Sequence, residues 1–119
     1  MSRRRRSGLT ATRQLRRHVP IFAALGDETR LSLLARICQR APCSISQLAE
    51  GSPFTRQAIT KHLRVLESAG LVRGEASGRE CLFQPEPNAL TQVRDYLHEV
   101  SKQWDDALAR LKKFVERSP

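Results

Sequence analysis

The amino-acid sequence predicts a mainly α-helical fold with one small β-hairpin. Three observations lead to this prediction. Apolar residues recur at helical spacing through most of the chain, and polar capping residues precede these segments. Two short extended segments flank Gly78, which supplies a turn. A final helical segment of about seven turns then carries a continuous apolar stripe.

Length and charge limit the possible classes of protein. The 119 residues suit one domain with a modest core. Lys and Arg outnumber Asp and Glu by 21 to 12, and seven of the arginines lie within residues 1–19, which contain no acid. This excess predicts a polyanionic partner, which could be nucleic acid or a membrane surface. We predict a disordered basic arm over residues 1–8 and a folded domain over residues 9–119. The arm could follow phosphates, or it could simply be solvated.

The chain shows no signal for a membrane or for secretion. No apolar run approaches the roughly 20 residues of a membrane span, and no hydrophobic segment follows the basic N-terminus. Three cysteines form an odd set without close spacing, which favours reduced thiols. We therefore expect a cytoplasmic protein that does not bind membranes.

Helical segments are predicted over residues 10–25 and 28–39. In the first, Leu15, Val19 and Phe22 share one face, and Pro20 predicts an interruption into two short helices. Asp27 is a good N-cap for the second. Its inward face is predicted to be Leu31, Leu34 and Cys38, flanked by Leu33 and Ile37, so that Cys38 would be an inert buried thiol. Residues 41–44 are predicted to form a loop.

Residues 46–70 predict two helices joined by a tight turn. Ser46 would cap the short first helix, and Thr55 would cap a longer second helix from about Arg56 to Ala69. Gly70 provides a C-terminal stop. The buried face of the longer helix would hold Ile59, Leu63 and Leu66.

The opposite face of this longer helix is rich in cations and hydrogen-bond donors. It carries no carboxylate, although Glu67 lies beside it, and its members are Gln57, Thr60, Lys61, Arg64 and Ser68. This combination describes a helix-turn-helix that enters the DNA major groove. A merely solvated polar face is the alternative.

The hairpin directly follows this helix. Strands are predicted over residues 71–75 and 80–84, with a turn at residues 76–79. The hairpin therefore takes the position of a wing. Arg79 at its tip could meet a phosphate or enter the minor groove, or it could be an ordinary exposed turn residue.

The last helix is predicted from Asn88 to about Val115. Its apolar residues step by three or four: Leu90, Val93, Leu97, Val100, Trp104, Leu108, Leu111 and Val115. One small domain cannot cover a stripe of this length. We expect the first half to pack within the chain and the rest to contact a second copy.

Two long motifs and a short one resemble the ArsR/SmtB family of bacterial winged-helix repressors. FAALGDETRL at residues 22–31 is similar to the family's opening motif, TRQAITKHLRVLESAGLV at residues 55–72 to its recognition helix, and GRE at residues 78–80 to its wing. The resemblance covers roughly residues 18–118. It implies the order α-α-α-α-β-β-α and a homodimer joined through the first and last helices. It also implies a transcriptional regulator, usually a repressor of its own operon.

These observations assign roles to individual residues. Base edges would be contacted by Arg56, Gln57, Thr60 and Lys61. Phosphates would be contacted by Thr55, His62, Arg64 and Arg79. On the resemblance, the dimer would form through Leu15, Val19, Phe22, Val100, Trp104, Leu108, Leu111 and Val115. The expected partners are a double-stranded, palindromic DNA operator and a second copy of the chain.

Metal, cofactor and enzyme functions are not expected. The family's metal sensors carry Cys-x-Cys where this chain has Ser44 and Ser46, and the last helix offers Asp95 and His98 without a second pair. Residues 104–108 resemble a metal-independent branch of the family, whose ligands are often unidentified, and the sequence does not identify an inducer. No phosphate loop or catalytic constellation occurs. The alternative function is a repressor that responds to thiol oxidation or to arsenic(III) through Cys43, Cys81 and Cys38.

Overall fold

Five helices and three strands make up the part of the chain that the computed structural model describes, residue 13 and residues 16–117. The elements in chain order are α1 (16–25), α2 (Glu28–Arg40), β1 (Cys43–Ser44), α3 (Ile45–Ala49), α4 (Arg56–Ser68), β2 (Val72–Ser77), β3 (Glu80–Pro85) and α5 (Pro87–Arg117). The predicted winged helix-turn-helix is confirmed, with one additional strand, β1. The basic arm and Leu15 lie outside the described residues.

Helix α1 is continuous through Pro20, so the predicted interruption is wrong. The helix runs without a break over residues 16–25. Proline has a φ angle compatible with a helix, and its costs are the loss of its own N–H donor and the crowding of the carbonyl four residues earlier. Pro20 is exposed. The carbonyl that loses this donor, that of exposed Arg16, can therefore be hydrated instead.

Helix α2 begins where the sequence predicted but buries a different face. The Asp27 carboxylate accepts a hydrogen bond from the Arg30 backbone N–H at 3.0 Å, which confirms the cap. The buried residues are Leu33, Leu34 and Ile37. Leu31 is 52% exposed and Cys38 is exposed, so the predicted inward face was wrong. The actual face is rotated by roughly a quarter turn about the helix axis. Both stripes include Leu34, and only packing against the other elements selects between them.

Helix α3 is capped by Ser44, not by Ser46 as predicted. The Ser44 hydroxyl accepts from the Gln47 N–H at 3.1 Å, and the Gln47 side chain accepts from the Ser44 N–H at 2.9 Å. This reciprocal pair is a capping box. It starts at Ser44 because Cys43 and Ser44 pair with Phe83 and Leu82 of β3, so the predicted loop ends in a short strand. Ser46 is exposed within the helix.

Replacement of Ser44 distinguishes the two possible caps. Ser44→Ala is expected to lower the free energy of unfolding by about 1 kcal/mol, because it removes the acceptor for the Gln47 N–H. Ser46→Ala should change that free energy by less than about 0.5 kcal/mol, since Ser46 is exposed and loses only a solvent-exposed hydrogen bond from Arg56. Urea denaturation of both variants measures the difference. A larger loss for Ser46→Ala would contradict this assignment of the cap.

Helix α4 confirms the sequence prediction closely. The Thr55 hydroxyl accepts from the Ala58 N–H at 3.1 Å and caps its start. Ile59, Leu63 and Leu66 are all buried. The helix ends at Ser68, and Gly70 follows with φ +77°, a conformation that glycine adopts without strain.

The three strands form a small antiparallel sheet in the order β1-β3-β2. Strands β2 and β3 pair from Val72 opposite Pro85 to Ser77 opposite Glu80. The wing is therefore slightly longer than predicted, and its turn is confined to Gly78 and Arg79. Its base is fixed in the core, because Leu71, Val72 and Phe83 are buried.

Helix α5 has 31 residues and leaves the core after its first half. Val93 is its buried residue, and Leu90 packs against the core. Tyr96 stacks on His18 of α1 with ring centroids 4.6 Å apart. Every described residue after Val100 is exposed. Among the described residues, no helix has the length and apolar character that a membrane span requires.

Candidate nucleic-acid interface

The outward face of α4 is set by the residues that the same helix buries. Ile59, Leu63 and Leu66 are at most 1% exposed and fix the rotation of the helix on the core. As a result, Gln57, Lys61, Arg64 and Ser68 are exposed on the other side, and Thr60 is half-buried. Within the described residues, the side chains of Gln57, Lys61 and Arg64 have no hydrogen-bond or ion-pair partner. They are available for a ligand.

Two predicted base-contacting residues already have partners within the chain. Arg56 Nη2 donates to the Ser46 hydroxyl at 2.8 Å, which connects α4 to α3 across the turn. The Thr60 hydroxyl donates to the Arg56 carbonyl at 2.8 Å, one turn earlier on the same helix. Thr60 can still accept a hydrogen bond but does not have a spare donor. Gln57 and Lys61 are therefore the least constrained of the four.

His62 lies on the flank of α4 and faces α2. Its Nδ1 is 4.0 Å from an Asp27 carboxylate oxygen, and its ring meets Phe54 edge-on at a centroid distance of 6.5 Å. The N–H of Arg30, which donates to the Asp27 carboxylate, holds the pKa of that group below its usual value, and His62 contributes in the same direction. A phosphate contact by His62 would therefore form beside an existing acidic neighbour.

Glu67 and Gly74 join the wing to α4, a role that sequence reasoning missed. The Gly74 N–H donates to the Glu67 carboxylate at 3.2 Å. A Cβ atom at position 74 would lie 2.9 Å from the Cys81 sulfur and 3.3 Å from the Glu67 oxygen, so any larger residue would have to displace these side chains. A glycine inside a predicted strand was the available signal. The wing is thus tied to the helix, with exposed Arg79 at its tip.

Two arginines of α2, both outside the predicted site, connect α2 to the C-terminal ends of α3 and α1. Arg36 of α2 donates to the carbonyls of Leu48 and Glu50 at 3.0 and 3.4 Å, at the end of α3. Arg30 donates to the carbonyls of Ala24 and Ala23 at 2.8 and 3.3 Å, at the end of α1. Each satisfies carbonyls that a helix C-terminus leaves without an internal donor.

The three cysteines occupy different environments, and all are free thiols. Cys43 is buried and donates to the Arg40 carbonyl at 3.3 Å; burial raises the pKa of its thiol, against the opposing effect of Arg36 and Arg40. Cys38, predicted to be buried, is exposed, as is Cys81. In the described part of the chain, no three His, Cys, Asp or Glu side chains are grouped as a metal site would need.

The residues predicted for dimerisation leave an apolar surface uncovered. Trp104 is 65% exposed and Leu108 56%, and Leu111 and Val115 are similarly exposed. Val19 of α1 is also exposed, whereas Phe22 and Val100 are half-buried. We refer to Trp104, Leu108, Leu111 and Val115 as the α5 stripe.

A helix-turn-helix, a wing and a helix whose exposed Gln57, Lys61 and Arg64 have no partner among the described residues together define a class of DNA-binding regulator. Comparisons with known proteins agree with this class. A helix-turn-helix domain model matches residues 25–75. The uncharacterized HTH-type transcriptional regulator YuzN of Bacillus subtilis is 41% identical over 75 residues, which cover 56% of this chain and 82% of YuzN.

Two further proteins are similar to this chain over more than half of its length. The arsenical resistance operon repressor of B. subtilis is 32% identical over 58% of this chain and 66% of its own length. An ArsR-like transcriptional regulator from Rhodococcus sp. RHA1 superimposes with a TM-score of 0.72 at 36% identity, covering 84% of this chain and 93% of that one. The chain belongs to the ArsR/SmtB family of winged helix-turn-helix transcriptional regulators. It is accordingly a DNA-binding transcriptional regulator.

Proposed function

We propose that this protein is a homodimeric repressor of its own operon that binds an imperfect palindrome. The observation that carries the proposal is the outward face of α4. There Gln57, Lys61 and Arg64 are exposed and have no partner in the part of the chain that the structure describes, on a helix whose rotation the core fixes. Repression is supported by the similarity to the B. subtilis protein named as an operon repressor. We assign no inducer at this stage.

The exposed groups suit two kinds of contact. The Gln57 amide can pair bidentately with adenine, and Lys61 can donate to guanine. Arg64 and Arg79 are free cations on the helix and the wing tip, and we assign them to phosphates, which set position rather than sequence preference. Thr55, at the start of α4, adds a phosphate contact. Because Arg56 donates a hydrogen bond to Ser46, its side chain would contact DNA only near the turn between α3 and α4.

The homodimer follows from the α5 stripe. Four large apolar side chains on one face of an exposed helix are costly in water, and a second copy offers a surface of the same chemistry. In such a dimer the two α4 helices would enter successive major grooves. The half-sites would then be about one DNA turn apart, roughly 34 Å.

Fluorescence anisotropy on the promoter of the protein's own gene tests this function, with a scrambled duplex as control. We expect selective binding to the promoter that weakens as salt increases, since phosphate contacts release counterions. Equal affinity for both duplexes would contradict the proposal. If selective binding appeared only after an oxidant was added, or disappeared when it was added, a thiol-responsive repressor would be favoured instead.

Gln57→Ala tests the base contact directly. It should cost about 1–3 kcal/mol of binding free energy on the promoter and relax the preference at one base pair in each half-site. Affinity for the scrambled duplex should not change. Gln92→Ala, which removes an exposed glutamine from α5, is the matched control and should bind as the unmodified protein does. An equal loss on both duplexes would exclude Gln57 from base recognition.

A further inference from the structure

A groove separates α1 from the second half of α4. Its volume is about 570 Å³, which is enough for a small molecule, and the groove is shallow and widely open to solvent. The lining residues come from α1, from the start of α2 and from the recognition helix itself. They are Pro20, Ala23, Ala24, Arg30, Lys61, Arg64, Val65, Ser68 and Ala69.

The groove combines an apolar surface with a cationic rim. Its apolar part comes from proline, alanine and valine side chains, and Val65 is 40% exposed although it belongs to the recognition helix. Its charged lining residues are Arg30, Lys61 and Arg64, and no carboxylate from the described part of the chain lines it. An apolar wall beside uncompensated positive charge matches a molecule with an apolar body and one negative headgroup.

The three cations are not equivalent. Arg30 is committed to the Ala23 and Ala24 carbonyls and holds the end of α1 in place. Lys61 and Arg64 have no acidic partner within the described residues. A headgroup in the groove would therefore pair with Lys61 and Arg64, two side chains on the face that we assign to DNA.

We propose that this groove binds an amphipathic monoanion, a carboxylate with a medium-length apolar body, and that the bound anion competes with DNA. The carboxylate neutralises Lys61 and Arg64, while the body covers Val65 and the α1 alanines. The competition rests on the proposed DNA-binding function, whereas the binding itself does not. The ligand would thus act as an inducer through direct exclusion, without a change of fold.

Binding to the DNA-free protein is measured first, with three probes that share an eight-carbon chain. Octanoate, octanol and octylammonium differ only in the headgroup, and amide chemical shifts in ¹⁵N-labelled full-length protein locate the site. Octanoate is expected to shift the amides of Ala23, Ala24, Val65 and Ala69 in a saturable way, and the other two probes to shift them much less. Shifts confined to the α5 stripe, or equal effects of octanoate and octylammonium, would overturn the proposal.

Competition is then measured by promoter anisotropy, with equimolar sodium acetate as the control for ionic strength. A competitor present at ten times its dissociation constant lowers the apparent affinity for DNA by about 11-fold for each groove that must be empty before DNA binds. We expect octanoate to reach at least that decrease and acetate to cause almost none. If octanoate shifts the groove amides but leaves promoter affinity unchanged, the competition is wrong. If the promoter is not bound selectively, the proposed function fails while the amide shifts still test the groove.

A variant that fills the groove separates the two sites. Ala23 is exposed on α1 and is not among the DNA-contacting residues, so Ala23→Trp should leave promoter affinity near its original value. It should abolish the effect of octanoate on both amide shifts and affinity. Ala35→Trp adds the same side chain to an exposed position of α2 outside the groove and should retain the full octanoate response. If Ala23→Trp kept the response to octanoate, the groove would not be the binding site.

Discussion

Leu108→Glu is expected to convert the protein from a dimer to a monomer and to weaken promoter binding by at least about 100-fold. Leu108 is 56% exposed in the isolated chain and lies in the middle of the α5 stripe. In a symmetric dimer each substitution is present twice, on surfaces that contact one another. The variant therefore places two carboxylates where the proposed interface has two leucines.

The expected magnitude comes from two contributions. Fully burying a leucine side chain is worth about 1.5–3 kcal/mol, and somewhat more than half of each side chain remains to be buried here. Placing an unpaired carboxylate against apolar surface adds a further penalty. A total of at least about 3 kcal/mol for both copies raises the dimer dissociation constant about 100-fold or more. Loss of the second half-site removes the bivalent advantage, which is worth roughly 10²–10⁴ in affinity.

Ala109→Glu is the matched control, because it adds the same charge at the next position. A rotation of about 100° per residue moves position 109 away from the α5 stripe. This variant should remain dimeric in analytical ultracentrifugation and bind the promoter within about threefold of the original protein. If both variants behave alike, the α5 stripe does not form the interface.

The helix-turn-helix and wing were predictable because their signals are local. A cap at Thr55, a stop at Gly70 and the spacing of Ile59, Leu63 and Leu66 together specify α4 and its rotation. Once the buried face is known, the opposite face follows from geometry alone. For this reason the sequence alone correctly places Gln57, Lys61 and Arg64 on the surface.

Features that depend on distant partners were not predictable in the same way. Ser44 caps α3 because β1 pairs with β3, about 40 residues later in the chain. In α2 two apolar stripes compete, and the sheet and α4 select Leu33 and Ile37 over Leu31. Continuity of α1 through Pro20 also depends on context. In each case the local sequence allowed two solutions and tertiary packing chose one.

The candidate site likewise combines features that the sequence predicts with features that depend on distant partners. Sequence identified the side chains with suitable chemistry but not the contacts that restrict them. The Arg56 bond to Ser46 and the approach of His62 to Asp27 connect residues that are 10 and 35 positions apart (56 − 46 and 62 − 27). The same applies to Glu67, which appears in the sequence as a negative charge beside a DNA-binding face. Its bond to the Gly74 N–H instead gives it a contact with the wing, in addition to the buried residues at the base of the wing.

Leu63→Ala is expected to lower the free energy of unfolding by about 2–5 kcal/mol. Leu63 is fully buried beneath α4, so truncation leaves a cavity between the recognition helix and the rest of the core. Urea denaturation measures the loss. Val65→Ala, a truncation on the exposed side of the same helix, is the control and should cost less than about 1 kcal/mol. Equal losses would mean that the rotation of α4 described here is wrong.

The neighbouring residue, Arg64, should matter for DNA binding and not for stability. Variants at positions 63 and 64 therefore test whether α4 has one structural face and one DNA-binding face. Arg64→Gln removes an exposed cation that contacts no partner within residues 16–117, so the free energy of unfolding should change by less than about 0.5 kcal/mol. A dimer would lose two phosphate contacts, which should reduce the slope of log affinity against log salt by about 1.8. For Leu63→Ala that slope should stay unchanged wherever the protein is folded, because every DNA-contacting side chain is retained. If Arg64→Gln destabilised the fold, or if Leu63→Ala flattened the salt dependence, the separation of a structural face from a DNA-binding face would fail.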